Sequence, residues 1–208
     1  MNTEYLTITG NEAEDARVIS RAAEVIRRGG LAAIPTETVY GLAGSALLAG
    51  SAEKIYAAKG RPADNPLIVH VAFPKEAGDI AYTNELYDRL AEKFMPGPLT
   101  VVLKKKPCIP DTVTAGLDTV AVRCPSNSIA HRLIEVSGHP IAAPSANRSG
   151  SPSPTSAAHV KADLDGLVDV IVDGGECEIG LESTVIRLDA EDACTVLRPG
   201  AVTPEMLS

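Results

Sequence analysis

Tryptophan is absent from this chain of 208 residues, and aromatic residues make up only 3% of it. A core with so few aromatic side chains has to be built from Ala, Val, Ile and Leu, and the hydrophobic fraction of 45% is sufficient for one. Because charged residues account for 22%, the composition is that of a globular protein and not of a disordered one. The length fits one large domain or two small ones.

Cysteine pairs of the kind that bind zinc are also missing. The four cysteines lie at positions 108, 124, 177 and 194, form no C-x-x-C pair and match no zinc spacing. The first residues lack the basic and apolar segments of a signal peptide, and no apolar run approaches the ~20 residues that cross a bilayer. These absences predict a cytoplasmic protein with reduced thiols and no contact with a membrane.

The familiar nucleotide-binding motifs do not occur. The chain contains neither G-x-x-x-x-G-K-[ST] nor G-x-G-x-x-G after a strand, and Ser145 lies outside any G-x-S-x-G hydrolase motif. The formal net charge of −8 argues against a surface that coats nucleic acid, which is usually basic. Any nucleotide site must therefore be built in another way.

The most informative segment is PTETVYGLAG at positions 35–44, directly after a short apolar run, Leu31–Ile34. The run predicts a buried strand, and Gly41 and Gly44 allow a tight turn or a close approach to a ligand. Two threonines, a glutamate and a tyrosine would then follow a strand end, where open α/β sheets bind ligands. A plain strand-to-helix connection is the alternative interpretation.

Helix and strand patterns alternate for most of the chain. Asn11 predicts the start of a first helix that stops at Gly29-Gly30, and Ser51 predicts the cap of a second helix that ends at Lys59. Further helices are predicted at about 84–94, 129–136 and 156–164, the last capped by Thr155, and strands at 67–71, 99–103, 119–123, 168–173, 184–188 and 195–197. This order predicts one α/β domain with a twisted mixed sheet flanked by helices. The Ser-, Pro- and Gly-rich segment 148–155 is predicted to be a mobile loop over a site.

Several polar side chains lie near the predicted strand ends. Three separate segments contribute fixed cations: the Lys59 and Arg61 pair, Arg123, and Arg198. Cations that converge on one cleft suit a polyphosphate or a carboxylate. Each could instead form a surface salt bridge. His131 and His159 fall within predicted helices and are interpreted as structural, whereas His70 interrupts an apolar strand.

Taken together, the motifs resemble those of the YrdC-type threonylcarbamoyl-AMP synthases. The resemblance covers residues from about 15 to 202 in order and rests on PTETVYGL (35–42), KGRP (59–62), NPL (65–67), PGP (96–98), VR (122–123), PSAN (144–147), STV (183–185) and LRPG (197–200). It implies a single domain, 1–208, with an open sheet around a concave, positively charged cleft. It also implies a nucleotidyltransferase that joins L-threonine, bicarbonate and ATP into L-threonylcarbamoyladenylate and pyrophosphate. A separate transferase would use the product to modify adenosine 37 of tRNA.

The resemblance also assigns residues. It implies that threonine is bound by Thr36, His70, Arg123 and Ser183, with Arg123 on the carboxylate. For ATP it implies Lys59, Arg61, Asn65, Thr119, Ala143, Ser145, Asn147 and Arg198. Lys59 and Arg61 would be the catalytic residues, through charge neutralisation, and no protein nucleophile is expected. Mg²⁺ would be bound mainly through the ATP phosphates, and the resemblance assigns no definite protein ligand to it. Asn147 would either shape its loop or help to bind phosphate or metal.

Other readings of the same motifs stay open. A paralogue with this fold could bind RNA or nucleotide without the reaction, and a related domain transfers carbamoyl groups within larger maturation enzymes. The sequence is compatible with weak contact with tRNA. It is also compatible with either a monomer or a dimer. Longer members of the family carry a second domain after the LRPG segment, whereas this sequence ends at Ser208. We expect either a short form or a different closure of the cleft, with segment 148–155 as a candidate lid.

Overall fold

The computed structural model describes residues 2–190 and 192–208. The helices are α1 Glu12–Arg27, α2 Ala49–Lys59, α3 Ala77–Ile80, α4 Glu85–Phe94, α5 Asp111–Thr114, α6 Ser128–Ser137, α7 Ala157–Leu164 and α8 Pro204–Leu207. The strands are β1 Glu4–Thr7, β2 Ala32–Ile34, β3 Gly41–Ser45, β4 Ile68–His70, β5 Ala81–Tyr82, β6 Leu99–Lys105, β7 Thr119–Arg123, β8 Ile141–Ala142, β9 Val170–Asp173, β10 Thr184–Ala190 and β11 Ala193–Arg198. A 3₁₀ turn, Pro74–Glu76, precedes α3.

The strands form one mixed sheet in the order β1-β9-β2-β3-β8-β4-β7-β6-β10-β11, with β5 paired to β6 at its side. Parallel pairs join β1 to β9, β2 to β9, β4 to β7 and β6 to β10. The other pairs are antiparallel. The predicted α/β fold with a mixed sheet flanked by helices is therefore confirmed.

Both faces of the first half of the sheet are covered by helices. In β2, Ile34 belongs to a core cluster that contains residues of α1 and α6, such as Ile26 and Leu133. Its neighbour Ala33 belongs to the opposite cluster, which contains Ile55 of α2. This alternation follows from the period of two along a strand and explains why β2 consists of apolar residues only.

The second half of the sheet uses its two faces differently. In β7, Val120 and Val122 are buried in the core, whereas Thr119, Ala121 and Arg123 line a cleft on the other face. In β4, Val69 is buried in the core, while Ile68 and His70 line the same cleft. Strand β10 repeats the pattern, with Ile186 in the core and Val185 and Arg187 toward the cleft. One face of β4, β7, β6 and β10 thus forms the cleft floor.

Most predicted elements are present, with corrections at three places. Asn11 caps α1 as predicted, accepting hydrogen bonds from the backbone N–H groups of Ala13 and Glu14. Ser51 does not cap α2, because the helix already begins at Ala49 and Ser51 lies inside it. The prediction of Thr155 as the cap of α7 is wrong by one residue, since the hydroxyl of Ser156 accepts from His159 N.

The third correction concerns the segment 35–44. Gly41 and Gly44 were expected to allow either a tight turn or a close approach to a ligand. Residues Gly41–Ser45 form no turn but strand β3, which pairs with β2 and β8. At Gly44, a Cβ atom would lie 3.1 Å from the side chain of Leu31 and 3.2 Å from that of Ile55. The glycine therefore allows α2 to pack closely on the sheet and does not serve a turn.

In the described part of the chain, no helix is both long enough and apolar enough to span a bilayer.

Candidate active site

A cleft of about 570 Å³ lies over the face of β4, β7, β6 and β10. Ten of the twelve residues that the sequence assigned to substrates line it: Thr36, Arg61, Asn65, His70, Thr119, Arg123, Ala143, Ser145, Ser183 and Arg198. They come from segments far apart in the chain, so their convergence is a property of the fold. The two others, Lys59 and Asn147, are not part of the lining.

Arg123 is a buried residue of the cleft lining and forms half of a buried ion pair. Its Nη2 is 2.6 Å from Oε1 of Glu37, and the two side chains are 5% and 3% exposed. Its Nε donates to the carbonyl of Gly97 at 3.3 Å. Since β4 and β7 are parallel and in register at this point, His70 lies directly beside Arg123.

His70 is a neutral imidazole in this environment. Burial, and then the neighbouring charge of Arg123, lower the pKa of its ring from 6.5 to about 3. Its Nδ1 is buried and has no hydrogen-bond partner among the residues that the structure describes. A buried polar atom without a partner is unfavourable, so this atom is suited to a hydrogen bond with a bound ligand.

The low pKa of His70 leads to a measurable expectation for stability. The unfolded chain protonates this ring below pH 6.5 and the folded chain does not, so stability falls as the pH drops from 6.5 toward 3. Between pH 7 and pH 5 the wild type should lose about 2 kcal/mol more unfolding free energy than His70→Gln, as urea denaturation would show. Equal losses in both proteins would mean that the folded protein protonates His70 normally.

The hydroxyl of Thr36 shapes the loop between β2 and β3. It donates to the carbonyl of Val39 at 2.6 Å, accepts from the backbone N–H groups of Thr38 and Val39, and lies 2.9 Å from the Thr38 hydroxyl. These bonds fold the loop tightly at the rim of the cleft. Thr36 is therefore positioned beside any ligand, but its hydroxyl already has several partners.

Ser183 and Arg198 form another part of the lining, next to Thr100, which pairs with Arg123 between β6 and β7. The Ser183 hydroxyl lies 2.8 Å from that of Thr100 and accepts from Nη2 of Arg198 at 3.0 Å. The guanidinium of Arg198 also donates to the Ser183 carbonyl and forms an ion pair with Glu182. These bonds fix a cation and a hydroxyl side by side in this part of the lining.

Arg61 is the cleft arginine with the poorest set of partners. Its Nη2 donates at 3.3 Å to the carbonyls of Asn65 and Pro66, and its buried Nε has no partner among the described residues. Arg123, Arg187 and Arg198 each have a carboxylate partner, whereas no described acidic side chain pairs with Arg61. Burial also lowers the pKa of its guanidinium. An anion bound in the cleft would provide the negatively charged partner that the Arg61 guanidinium lacks among the described residues.

Lys59 lies behind the cleft wall. It is 3% exposed, and its ammonium donates to the carbonyls of Ser145 and Asn147 and to Oδ1 of Asn147. Burial is the main cause that lowers its pKa from 10.5 to about 8. In this structure the ammonium of Lys59 ties the Ser145–Asn147 segment to α2 instead of facing the cleft.

Segment 148–155 does not cover the cleft. None of its residues belongs to the lining, and hydrogen bonds connect it to the rest of the domain. Its backbone bonds to Asp163, Lys59, Tyr40 and Cys177, and Ser153 bonds to Glu182. The expectation of a mobile loop that acts as a lid is therefore not supported by the contacts of this segment.

Three charged residues in or behind the cleft lining are missing from the substrate assignment. Glu182, which pairs with Arg198, and Arg187, on the same strand face as Val185, belong to the lining. Glu37, which pairs with Arg123, lies behind it. Glu37 lies inside the motif at 35–42, and Glu182 directly precedes the motif at 183–185. Their positions in the sequence therefore already indicated that they lie close to the site. For Arg187 the signal was the strand alternation that places it on the same face as Val185.

Comparison with known proteins identifies the family. The model of the Sua5/YciO/YrdC family, described as telomere recombination, matches residues 24–200. The chain belongs to the Sua5/YciO/YrdC family. The resemblance predicted from the motifs is therefore confirmed.

Two curated members of the Sua5/YciO/YrdC family are named threonylcarbamoyl-AMP synthase. The one from Pyrococcus abyssi is 54% identical over 185 residues, which are 88% of this chain and 54% of that protein. The one from Bacillus subtilis is 48% identical, over 98% of this chain and 59% of that protein. The chain thus spans little more than half the length of these relatives.

A solved structure extends the comparison to three dimensions. The crystal structure of P. abyssi Sua5 complexed with L-threonine superposes with a TM-score of 0.88 at 50% identity, over 96% of this chain and 58% of that one. At this level of similarity the family member described here shares the fold of Sua5 throughout the aligned region.

Proposed function

We propose that this chain forms L-threonylcarbamoyladenylate and pyrophosphate from L-threonine, bicarbonate and ATP. The observation that carries the proposal is the convergence of ten assigned residues on one cleft, in a chain half identical to a protein crystallised with L-threonine. The names of the curated relatives support the same reaction. RNA binding without chemistry is the weaker candidate, because the net charge of −8 does not favour it.

The lining residues fall into two groups that suit the two substrates. Thr36, His70, Arg123 and Ser183 would bind threonine, with Arg123 on the carboxylate and neutral His70 as a hydrogen-bond partner. Arg61 and Arg198 would bind the ATP phosphates, while Thr119, Ser145 and the backbone at Ala143 would contact the nucleotide. Asn65 lies in the loop that follows Arg61, and its backbone carbonyl accepts a hydrogen bond from Nη2 of Arg61.

Lys59 and Asn147 would support this site indirectly. The ammonium of Lys59 binds the carbonyls of Ser145 and Asn147, and so fixes the segment that contributes Ser145 to the cleft. We therefore assign to Lys59 the task of positioning this segment, in place of the direct phosphate contact that the sequence suggested. Product transfer to a tRNA-modifying transferase is part of the same proposal.

The reaction requires little covalent help from the protein. Bicarbonate and the threonine amine form a carbamate with release of water, and a carbamate oxygen then attacks the α-phosphorus while pyrophosphate leaves. Arginine side chains that hold both reactants in line and neutralise phosphate charge would supply most of the acceleration. We name no protein nucleophile.

Magnesium would enter this scheme as part of the substrate MgATP. Among the described residues, no three His, Cys, Asp or Glu side chains are grouped so that they could hold a metal ion. The acidic groups nearest the cleft, Glu37 and Glu182, are each paired with an arginine. We therefore assign no protein ligand to magnesium and derive no step through it.

Pyrophosphate release from ATP tests the proposed function. With the protein folded, release should require threonine and bicarbonate together and should be absent when either is omitted. An adenylate that contains the threonylcarbamoyl group should appear in equal amount, as mass spectrometry would show. ATP turnover that ignores threonine, or no turnover together with RNA affinity, would reject the proposal.

A further inference from the structure

The carboxylate of Glu37 is buried behind the cleft wall, and the scheme above gives it no task. Glu37 follows Thr36 in the loop after β2, yet Thr36 and Thr38 line the cleft and Glu37 does not. Its side chain is 3% exposed. Burial of a carboxylate is costly unless the charge is paired and hydrogen-bonded, so its partners indicate what it does.

Glu37 joins three elements through its two oxygens. Oε1 lies 2.6 Å from Nη2 of Arg123 at the end of β7, and Oε2 accepts from the backbone N–H of Asn127 at 3.4 Å. Asn127 is the N-cap of α6, where the helix dipole contributes partial positive charge. One full and one partial positive charge therefore hold the carboxylate in place.

These contacts determine which edge of the Arg123 guanidinium faces the cleft. Nε donates to the Gly97 carbonyl, and Nη2 is bound to Glu37. Nε and Nη2 form one edge of the planar fork, so this edge is turned toward the protein. Nη1 makes no hydrogen bond with any described residue, and Arg123 is part of the cleft lining. The two N–H groups of Nη1 and the second N–H of Nη2 are consequently the donors left for a ligand.

We propose that Glu37 is the positioning residue of the threonine pocket: it holds Arg123 so that the substrate carboxylate is met by the Nη1 end of the guanidinium. The inference rests on the proposed function. Glu37 acts through Arg123 and touches no substrate. It follows that Glu37 governs recognition of the carboxylate and leaves the phosphate end, around Arg61, unaffected.

The test uses Glu37→Asp with the equilibrium binding of two ligands, L-threonine and L-threoninamide, measured by calorimetry. Asp keeps the charge but is one methylene shorter, so it cannot hold both Nη2 of Arg123 and the N–H of Asn127. The wild type should prefer threonine, because the amide lacks the carboxylate. In Glu37→Asp this preference should fall about tenfold or more, the equivalent of one charge-assisted hydrogen bond.

A second variant separates length from charge. Glu37→Gln keeps the length and one carbonyl oxygen for Arg123, so its loss of preference should be smaller than that of Glu37→Asp. Glu135→Asp, half-exposed on α6 and paired with Arg132, is the matched control and should bind as the wild type does. The KM for ATP should stay within about threefold in both Glu37 variants, because the phosphate end of the cleft is unchanged, and the control Glu135→Asp should keep kcat as well.

Two results would overturn the inference. One is an unchanged threonine-to-threoninamide preference in folded Glu37→Asp. The other is an equal weakening of both ligands, which would indicate general damage and no effect on the carboxylate contact. A failure of the proposed function is recognised separately, because the wild type would then release no pyrophosphate while the binding ratio could still be measured.

Discussion

Replacement of Arg61 by alanine is expected to lower threonine-dependent pyrophosphate release by about a hundredfold or more, without loss of the fold. The reason is the unusual state of this guanidinium: its Nε is buried without a described partner, and no described carboxylate forms an ion pair with it. A guanidinium without a counter-charge in the protein is able to stabilise the negative charge that develops on the ATP phosphates. Removal of one such donor typically costs about 10²- to 10³-fold in rate.

Two further variants make this test specific. Arg61→Lys keeps the charge but loses the planar fork, so it should recover only part of the activity. Arg132→Ala, which removes an exposed arginine paired with Glu135 on α6, is the matched control and should stay within about twofold of the wild type. Full activity in folded Arg61→Ala would refute the assignment of the phosphate end of the cleft.

The elements that the sequence predicted well are those with strong local signals. Helix α1 has a capping asparagine, an acidic first turn and an apolar stripe, all within one continuous segment. Strand β7 alternates between core and cleft positions, and its bounds were predicted exactly at Thr119 and Arg123. In such segments the local preference and the tertiary environment agree.

Strand β3 could not be predicted in the same way. It contains Gly41 and Gly44, which weaken strand propensity, and it forms because β2 and β8 pair with it on either side. Strand β1 depends on pairing with β9, whose residues lie more than 160 positions away. Neither pairing leaves a local pattern in the sequence.

The site was predictable as a set of residues but not as a set of contacts. Motifs supplied ten side chains that line the cleft, yet they did not show that Arg123 binds Glu37 or that Lys59 binds backbone carbonyls. Both contacts join residues 86 or more positions apart. The direction of a carbonyl group depends on the backbone conformation, which no motif encodes.

Segment 148–155 shows the same limit for loops. Its composition correctly indicated a segment without regular structure, since Ser, Pro and Gly favour turns. Its tertiary contacts involve residues distant in sequence: the backbone N–H of Tyr40 donates to the Pro154 carbonyl, and the Ser153 hydroxyl donates to Glu182. Composition describes the local preference of a loop, whereas its order depends on long-range hydrogen bonds.

The second large effect concerns stability. Arg123→Met is expected to lower the free energy of unfolding by about 3–5 kcal/mol, because it leaves the Glu37 carboxylate buried without its cation. For a chain of this size the melting temperature should fall on the order of 10 °C. Urea denaturation at pH 7 measures the free energy, and unchanged m-values would show that the unfolding transition remains comparable.

The double variant Glu37→Leu with Arg123→Met tests whether the ion pair serves stability or substrate recognition. Replacing a buried pair by apolar side chains of similar size is often neutral or stabilising, so most of the lost stability should return. Activity should not return, since the cleft would lack its cation at the threonine end. A double variant as unstable as the sum of the single changes would instead make the pair a structural necessity. If stability returns and activity does not, the ion pair of Arg123 and Glu37 serves recognition of the substrate carboxylate. It then adds nothing to the free energy of unfolding.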